Sequence, residues 1–338
     1  MIPGKLLIVG QFGYTNVGGS FEKAARRMGW VVQAVESRNA AQAPWWVRQF
    51  NWRFRDKRPA RLKPFGQDVI RLCRDFRPGG LLATGFAPLD SACLREIGTL
   101  GVRRMNYLTD DPWNPAHRAG WFLEALPFYD EVFSPRRANL QDLKGIGCRR
   151  VSYLPFGYDP DLFFPDTGLE VDERLEADIV FVGSGDRDRI PFIRELFKSG
   201  CRAALYGPFW DRYPEMRNRS KGAIGPDLFR KVMRHAKAAL CLVRRANRDG
   251  HAMRTFEIPA VGACMLTEDT QEHREIFGPE GKFVLYFQSP DEMVRKLRFL
   301  LANEPERKRL AQAAHHLIAG GKNRYQDRLE IMLEGNGR

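Results

Sequence analysis

The feature that most constrains the fold is a regular alternation of short apolar runs with helical segments, separated by glycine-rich turns. The run KLLIVGQF (5–12) leads into the loop GYTNVGGS, and the helical segment FEKAARRMG precedes the apolar run WVVQAV (30–35). A strand, a helix and a second strand in this order form one βαβ unit of a parallel sheet. The alternation continues with helices near 66–76, 90–99, 118–126 and 136–145 and with strands at 80–84, 103–109, 131–135 and 149–155.

A second series of the same kind begins after a break in this pattern. The segment FGYDPDLFFPDTG (156–168) is rich in glycine, proline and aspartate, and a new strand follows at ADIVFVGSG (177–185). A chain of 338 residues also favours two domains over one. We therefore predict an α/β protein with two Rossmann-like domains at 1–157 and 177–317, a linker at 158–176 and a terminal helical segment at 318–338.

Composition and charge narrow the class of protein. No apolar run is long enough to span a membrane, and the first strand starts too early for a signal peptide, so we expect a cytoplasmic protein. The six cysteines lack the CxxC spacing of a zinc site and are expected to be buried free thiols. The formal net charge of +13 favours a polyanionic partner, which a phosphate-bearing substrate, an anionic membrane surface or a nucleic acid would each supply.

In open α/β sheets, ligands bind at the carboxyl ends of the strands. The candidate ligand-binding loops are therefore those that follow Val9, Thr109, Val182, Tyr206 and Val243. The stretch RDGHAMRTFEIPAVGACMLTED (248–269) continues the last of these with a charged loop that runs into an apolar helix and strand.

Several of these segments resemble the sugar-nucleotide-dependent glycosyltransferases of the GT-B fold. Within that class, the chain looks most like the spore-maturation (CgeB-like) group, which is similar to the E-x7-E family of retaining transferases. The resemblance is carried by VGQFGYTNVGG, YLPFGYDPDLFFP, DIVFVGSGDRDRIPFIREL, LYGPFW, DGHAMRTFEIPAVGACMLTED and EHREIFGPEGKFVLYF. It is firm over about 150–317 and loose over 1–149.

The resemblance implies two facing domains, with a C-terminal helix that crosses back to the N-terminal domain. Asp249 and Glu257 occupy the two acidic positions of the family pattern, here as D-x7-E. Glu257 is then expected to bind the ribose hydroxyls, because a carboxylate can accept from both hydroxyls of a vicinal diol. Asp249 departs from the usual glutamate at the position that contacts the donor sugar.

Further donor-site candidates flank these acids. Gly18 and Gly19 would let backbone N–H groups approach a diphosphate, or they would serve a turn that needs positive φ. Gly183, at the end of the strand DIVFVG, is another donor-site candidate. Arg187 and Arg189, which follow it, could stabilise the diphosphate leaving group, or they are solvated surface arginines. Two more candidates lie in the charged loop: Arg254, which could serve the phosphates or pair with Glu257, and His251.

The acceptor-side candidates lie in YLTDDPWNP and just behind it. Asp110 or Asp111 could position or deprotonate an acceptor hydroxyl, although Asp-Asp-Pro is also common in turns. His117 could contact the donor sugar. Two D-x-D patterns, Asp159–Asp161 and Asp186–Asp188, are interpreted as turns, because the resemblance implies an enzyme without a bound metal.

The most unusual composition lies in WWVRQFNWRFRDKRPARLKPF (45–65), where aromatic and basic residues interleave. Trp52, Arg53 and Arg55 are typical of this segment. Its spacing suits either a strand or a helix. It could dock on anionic lipids, hold an anionic acceptor or a nucleic acid, or form a flap whose aromatic side chains cover the N-terminal core.

Together these observations predict a glycosyltransferase that needs no cofactor. The donor, with a UDP-sugar favoured, would bind mainly to the C-terminal domain and the acceptor mainly to the N-terminal one. Three alternatives stay open: sugar transfer to a nucleic-acid base, a non-catalytic nucleotide-sugar-binding module, and a nucleotide-sugar epimerase. Neither the acceptor nor the oligomeric state follows from the sequence.

Overall fold

The computed structural model describes residues 4–13, 15–166, 168 and 172–334. The chain divides into two compact units. Unit 1 comprises Met1–Pro155 and Tyr325–Arg338, and unit 2 comprises Phe156–Arg324. Residues 158–176, for which we expected a linker, fall within unit 2.

Unit 1 is built on a six-stranded parallel sheet in the order β2-β1-β3-β4-β5-β6. Its strands are β1 (Lys5–Gly10), β2 (Val31–Glu36), β3 (Gly80–Thr84), β4 (Arg103–Tyr107), β5 (Glu131–Ser134) and β6 (Val151–Tyr153). Its helices are α1 (Val17–Arg27), α2 (Trp45–Phe54), α3 (Leu62–Phe76), α4 (Ser91–Thr99), α5 (Gly120–Ala125) and α6 (Ala138–Gly145). The central strands β1 and β3 are buried and apolar, as expected for a sheet covered on both faces.

Unit 2 repeats the plan on a five-stranded parallel sheet in the order β11-β10-β9-β7-β8. Its strands are β7 (Ala177–Val182), β8 (Ala203–Tyr206), β9 (Ala236–Cys241), β10 (Met265–Glu268) and β11 (Leu285–Phe287). Its helices are α7 (Ile190–Lys198), α8 (Pro226–His235), α9 (Arg254–Ala260), α10 (Gln271–Phe277), α11 (Pro290–Ala302) and α12 (Glu304–Gly320). Helices α7 and α11 pack against this sheet through residues such as Ile193 and Leu297, which have no exposed surface.

The C-terminal helix, α13 (Tyr325–Glu334), belongs to unit 1 although the chain reaches it from unit 2. It packs on α1, and the ring of Tyr325 meets that of Phe21 edge-on with 5.2 Å between the ring centroids. Tyr325, Leu329 and Met332, the residues with helical spacing in the sequence, are all buried. The predicted fold class, two Rossmann-like α/β domains with a C-terminal helix that crosses back, is therefore confirmed.

The basic aromatic stretch begins with helix α2. Of the strand and the helix that its spacing allows, the structure therefore contains the helix. Of the alternatives left open for this stretch, the one in which its aromatic side chains cover the N-terminal core is contradicted by their exposure. Trp45, Trp46 and Trp52 are 69%, 63% and 54% exposed, and Phe50 and Phe54 are 53% and 73% exposed. The neighbouring helix α3 does contribute to that core, through buried side chains such as Phe65 and Val69.

The cysteines are free, and all but the half-buried Cys201 are buried. Burial raises the pKa of the Cys73 thiol to about 11 and that of Cys148 to about 12, so these groups stay neutral and pack as small apolar side chains. Among the described residues, no helix is both long enough and apolar enough to cross a bilayer.

Candidate functional site

Both sheets have a topological switch point at their first strand. In unit 1, β1 lies between β2 and β3, and in unit 2, β7 lies between β8 and β9. The connections on the two sides of such a strand leave the sheet in opposite directions, and the crevice between them is where α/β proteins bind ligands. The loops after β7 and β9 in unit 2 are thus the first place to look for a site.

Glu257 lies at this edge of unit 2, on the short helix α9. Its side chain is buried, and its Oε2 is paired with the Arg254 guanidinium one helical turn earlier. Its Oε1 is buried and has no hydrogen-bond partner among the residues that the structure describes. An unsatisfied buried acceptor costs about 1–3 kcal/mol, so a ligand that donates a hydrogen bond to Oε1 would recover that free energy.

Arg254 fixes the position of this carboxylate. Its Nε donates to the carbonyl of Val182 at the end of β7 over 3.1 Å, and its guanidinium carbon lies 4.6 Å from the centre of the Phe229 ring. Of the two roles that the sequence left open for Arg254, the structure contains the ion pair with Glu257.

Arg189 and Arg187 have very different surroundings. Arg187 is exposed, whereas Arg189 is 8% exposed and donates to two carbonyls, those of Ser184 and Leu242, each over 3.0 Å. Arg189 therefore ties the loop after β7 to the loop after β9. Burial lowers its pKa, and nearby Arg244 acts in the same direction.

Arg244 follows β9 at the switch point, and the sequence analysis missed it. Its Nη2 donates to Ser184 Oγ over 3.0 Å, its Nε lies 3.5 Å from Asp186 Oδ2, and its side chain stays 29% exposed. It is thus a charged group held at the edge of the sheet with surface left for a ligand. The signal that could have found it was its place directly after Val243, in a loop that the topology had already marked.

Gly183 and His251, two predicted donor-site residues, have evident packing roles. A side chain at Gly183 would meet the Phe181 ring at 2.7 Å, and the Gly183 carbonyl accepts from the Trp210 indole over 2.9 Å. His251 is buried, and its Nε2 accepts from the Phe156 N–H over 3.1 Å, so its Nδ1 donates to Glu272 Oε2 over 2.5 Å.

Asp249 precedes this histidine in the same loop. Its side chain is partly exposed, and its backbone N–H donates to the Arg244 carbonyl over 3.2 Å. Its charge is one of those that oppose the lowering of the Arg189 pKa, which places the carboxylate among the charged groups of the switch point.

A buried polar layer supports this site from below, and the sequence analysis missed it too. His273 has no exposed surface, and its Nδ1 lies 2.8 Å from the Glu268 carbonyl and its Nε2 lies 2.9 Å from Thr255 Oγ1. Burial lowers the pKa of His273 to about 4. Glu268 Oε2 accepts from the Val243 N–H over 2.7 Å, and burial raises the pKa of this carboxyl.

The switch point of unit 1 is lined by close backbone contacts. A side chain at Gly18 would come within 2.6 Å of the Gln11 carbonyl, whereas one at Gly19 would make only an ordinary contact at 3.5 Å. Neither has positive φ, which occurs instead at Gly13. Gly18 is therefore a close-packing residue between α1 and the loop after β1, and of the two roles left open for the pair, a turn that needs positive φ is excluded.

The acceptor-side candidates follow β4 in unit 1. Asp111 is buried, and its Oδ1 accepts from the Trp113 N–H over 3.0 Å and from Asn139 Nδ2 over 2.8 Å, so it holds the turn. Asp110 is partly exposed and accepts from Thr109 Oγ1 over 3.2 Å. His117 is partly exposed, with its ring 5.9 Å from that of Phe86.

The two D-x-D patterns form local turns. Asp159 is buried and accepts from the Asp161 N–H over 3.0 Å, and Asp186 precedes a single 3₁₀ turn at Arg187–Arg189. Within the part of the chain that the structure describes, no group of three or more His, Cys, Asp or Glu side chains is arranged to hold a metal ion.

Comparison with known proteins adds a family signal to this geometry. Residues 187–334 match a family model described as glycosyl transferase-like, which covers less than half of the chain but includes the switch-point residues from Arg187 to Glu257. No curated protein matches the chain.

Solved structures share the fold over nearly the whole chain. Sucrose-phosphate synthase from Thermosynechococcus elongatus matches with a TM-score of 0.68 at 12% identity, over 98% of each chain. HepE from Anabaena, in complex with UDP and glucose, matches with 0.62 at 12% over 98% of each chain. BGT from T4 phage, in complex with its UDP-glucose substrate, matches with 0.58 at 14%, over 97% of this chain and 98% of that one. These likenesses show the GT-B fold.

Proposed function

We propose that this protein is a glycosyltransferase that takes its sugar from a nucleoside diphosphate sugar bound to unit 2. The observation that carries the proposal is the buried carboxylate of Glu257, held by Arg254 at the switch point, with one oxygen that has no hydrogen-bond partner in the described part of the chain. A glycosyl transferase-like sequence match over 187–334 supports it.

In this proposal, the hydroxyls of the donor ribose donate to Glu257, and Arg244 faces the diphosphate. A guanidinium suits this task because it stays charged and stabilises the negative charge that gathers on the leaving group as the sugar departs. Arg189 acts indirectly by holding the loop that carries Ser184. UDP is the favoured nucleotide, because proteins of the same fold have been solved with UDP or UDP-glucose.

The acceptor side of the proposal rests on unit 1. Asp110 is the carboxylate that would position the acceptor hydroxyl, and Asp111 would keep the turn in shape. Asp249 and His117 are assigned to the donor sugar. Retention of anomeric configuration, independence from metal ions and membership of the CgeB-like group are parts of the same proposal and rest on the D-x7-E motif and its flanking segments.

The donor class can be tested by thermal denaturation with UDP, GDP, ADP, TDP and CMP and their sugar derivatives. A ligand that binds only the native state raises the melting temperature by mass action. We expect a shift with UDP and UDP-sugars that is lost in Glu257→Gln and kept in Glu275→Gln, which alters an exposed acid of α10 in the same unit. Absence of a shift with every nucleotide at millimolar concentration would contradict the proposal.

The product then separates a transferase from an epimerase or a binding module. A transferase releases UDP only when an acceptor is present, whereas an epimerase changes the sugar signals in the NMR spectrum of the donor alone. A binding module does neither. Activity that survives EDTA, and a product with the anomeric configuration of the donor, would support the metal-free retaining mechanism.

A further inference from the structure

The largest concentration of exposed aromatic side chains lies on α2, far in sequence from the donor-site residues. Among the described residues, five of the twelve exposed large hydrophobic side chains fall in this ten-residue helix. Three of them are tryptophans. A contiguous group of this kind on a folded protein marks an interaction site, because single exposed hydrophobics are normally scattered.

The charge around these aromatics has one sign. Between Glu36 and Asp68 the only acid is Asp56, and the same interval carries eight arginines and lysines. Asp56 is already engaged, because its Oδ2 accepts from the backbone N–H groups of Gly120 and Trp121 at the start of α5. Arg38 is paired with Glu36 over 2.7 Å, so the excess positive charge of this interval lies from Arg48 onward, on α2 and the segment after it.

The three tryptophans of α2 share the outward half of the helix with Arg53. At 100° per residue, the half-buried Val47 and the buried Asn51 mark the inward side. Trp45, Trp46, Trp52 and Arg53 lie on the opposite side. Phe50 lies between the two sides, and Phe54, seven residues after Val47, returns to the inward side at the exposed end of the helix. The rings of Phe50 and Phe54 are tilted, with 5.3 Å between their centroids.

The helix is held firmly at its C-terminal end. The Asn51 carbonyl accepts from the backbone N–H groups of Arg55 and Lys57 over 3.1 and 3.0 Å. Lys57 Nζ donates to the carbonyls of Pro115 and Arg118 over 2.9 and 2.8 Å. The exposed aromatics thus project from an ordered element that is bonded to the segment directly behind Asp110.

The chemistry of this surface matches an anionic lipid bilayer. Tryptophan has an apolar body with one polar N–H and concentrates at the headgroup level of membranes. Arginine pairs with lipid phosphates, and positive charge draws a helix to an anionic leaflet. Single-stranded nucleic acid is bound instead along a charged groove with aromatic platforms, whereas here the three tryptophans lie on the outward half of a single helix.

We propose that α2 is an interfacial helix that docks unit 1 on an anionic lipid surface. Trp45, Trp46 and Trp52 enter the headgroup layer, while Arg48, Arg53 and Arg55 contact the phosphates. Lys57 keeps the 115–118 segment beside the bound surface. Docking needs no sugar donor, so its failure and that of the proposed glycosyltransferase activity are distinguishable.

The test is co-sedimentation of the full chain with phosphatidylcholine vesicles that contain either no phosphatidylglycerol or about one third of it. We expect binding only to the anionic vesicles, with a blue shift of tryptophan emission because three of the seven tryptophans lie on α2. The triple variant Trp45→Ser/Trp46→Ser/Trp52→Ser should lose at least tenfold in partition coefficient. Arg53→Gln/Arg55→Gln should lose roughly tenfold, since each basic residue near an anionic surface adds to the attraction.

The matched control is Phe299→Ser, which removes a 47% exposed aromatic from α11 of unit 2 and should leave vesicle binding unchanged. All variants should keep the wild-type melting temperature. Equal vesicle binding by the triple variant and the wild type would overturn the proposal. The proposal would also be overturned if the protein bound a 20-nucleotide single strand through these tryptophans but did not bind vesicles. It would likewise be overturned if the wild type were a dimer and the triple variant a monomer.

Discussion

The switch points of the two sheets have the same strand order and opposite chemistry. At the switch point of unit 2, Arg189, Arg244, Arg254 and Glu257 meet within two loops and one short helix. At that of unit 1, the backbones of Gly10 and Gly18 pack closely against the loop and against Thr84. Topology therefore selects where a ligand can bind, whereas the side chains at that edge decide which unit carries the charged site.

The largest effect on nucleotide binding is expected from removing the charge of Glu257. A carboxylate that accepts from two ribose hydroxyls gains more than a neutral amide, by about 1–1.5 kcal/mol for each bond. Glu257→Gln should therefore weaken UDP binding by roughly 100-fold in calorimetric titration. Retention of wild-type affinity in a folded Glu257→Gln protein would remove the donor site from this edge.

The second test concerns the buried layer beneath the same edge. Burial lowers the pKa of His273 from its ordinary value of 6.5 to about 4. Between these two values the unfolded chain binds a proton that the native state does not, so stability is full above pH 6.5 and falls as the pH drops toward 4. From pH 7.5 to 5 the loss should reach about 2 kcal/mol in denaturant titrations.

The matched variant for this pH effect is His273→Gln, which has no group that titrates in the same range. Its overall stability is expected to be lower, but the part of the pH dependence due to His273 should vanish. An unchanged slope between pH 5 and 6.5 in the variant would assign the effect to other groups.

In unit 1, the packing roles of Gly18 and Gly19 can be tested by replacing each with alanine. Gly18→Ala should destabilise the protein by about 1–3 kcal/mol, because the added carbon would sit 2.6 Å from the Gln11 carbonyl. Gly19→Ala serves as its control, since the nearest atom would be 3.5 Å away, and its effect on stability should stay within about 0.5 kcal/mol. A loss of UDP affinity in Gly19→Ala would show that unit 1 backbone approaches the diphosphate.

The smallest expected effect is that of Arg244→Gln. The arginine is partly exposed and bonded to Ser184 and Asp186, so its loss should change the melting temperature little. UDP affinity should fall about tenfold, the magnitude of one charge-assisted hydrogen bond, and UMP affinity should fall less. Equal losses for UDP and UMP would mean that Arg244 does not face the second phosphate.

The fold and the position of Glu257 could be predicted because they follow from local signals. The strand and helix periods repeat twice, and the D-x7-E motif places an acid on a helix after a buried strand. The surroundings of the arginines could not be predicted in this way. In the sequence RDR, only the packing of two distant loops decides that Arg189 turns inward while Arg187 stays exposed.

The same limit applies to His251, Arg244 and α2. Nothing local indicates that His251 bonds to Phe156 and Glu272, residues far from it in sequence. Arg244 is one of several basic residues after β9, and the loop position alone does not rank them. For α2 both the strand and the helix period fit, and neither period indicates that its aromatic side chains are exposed.

Hydrogen–deuterium exchange with and without UDP tests most directly whether the nucleotide binds at the charged edge of unit 2. With UDP bound, we expect slower exchange in the segments 183–189 and 244–257, and smaller changes in exchange rate in the segment 110–118 of unit 1. Protection confined to the loop after β1, or absent from both units at saturating UDP, would contradict binding at that edge.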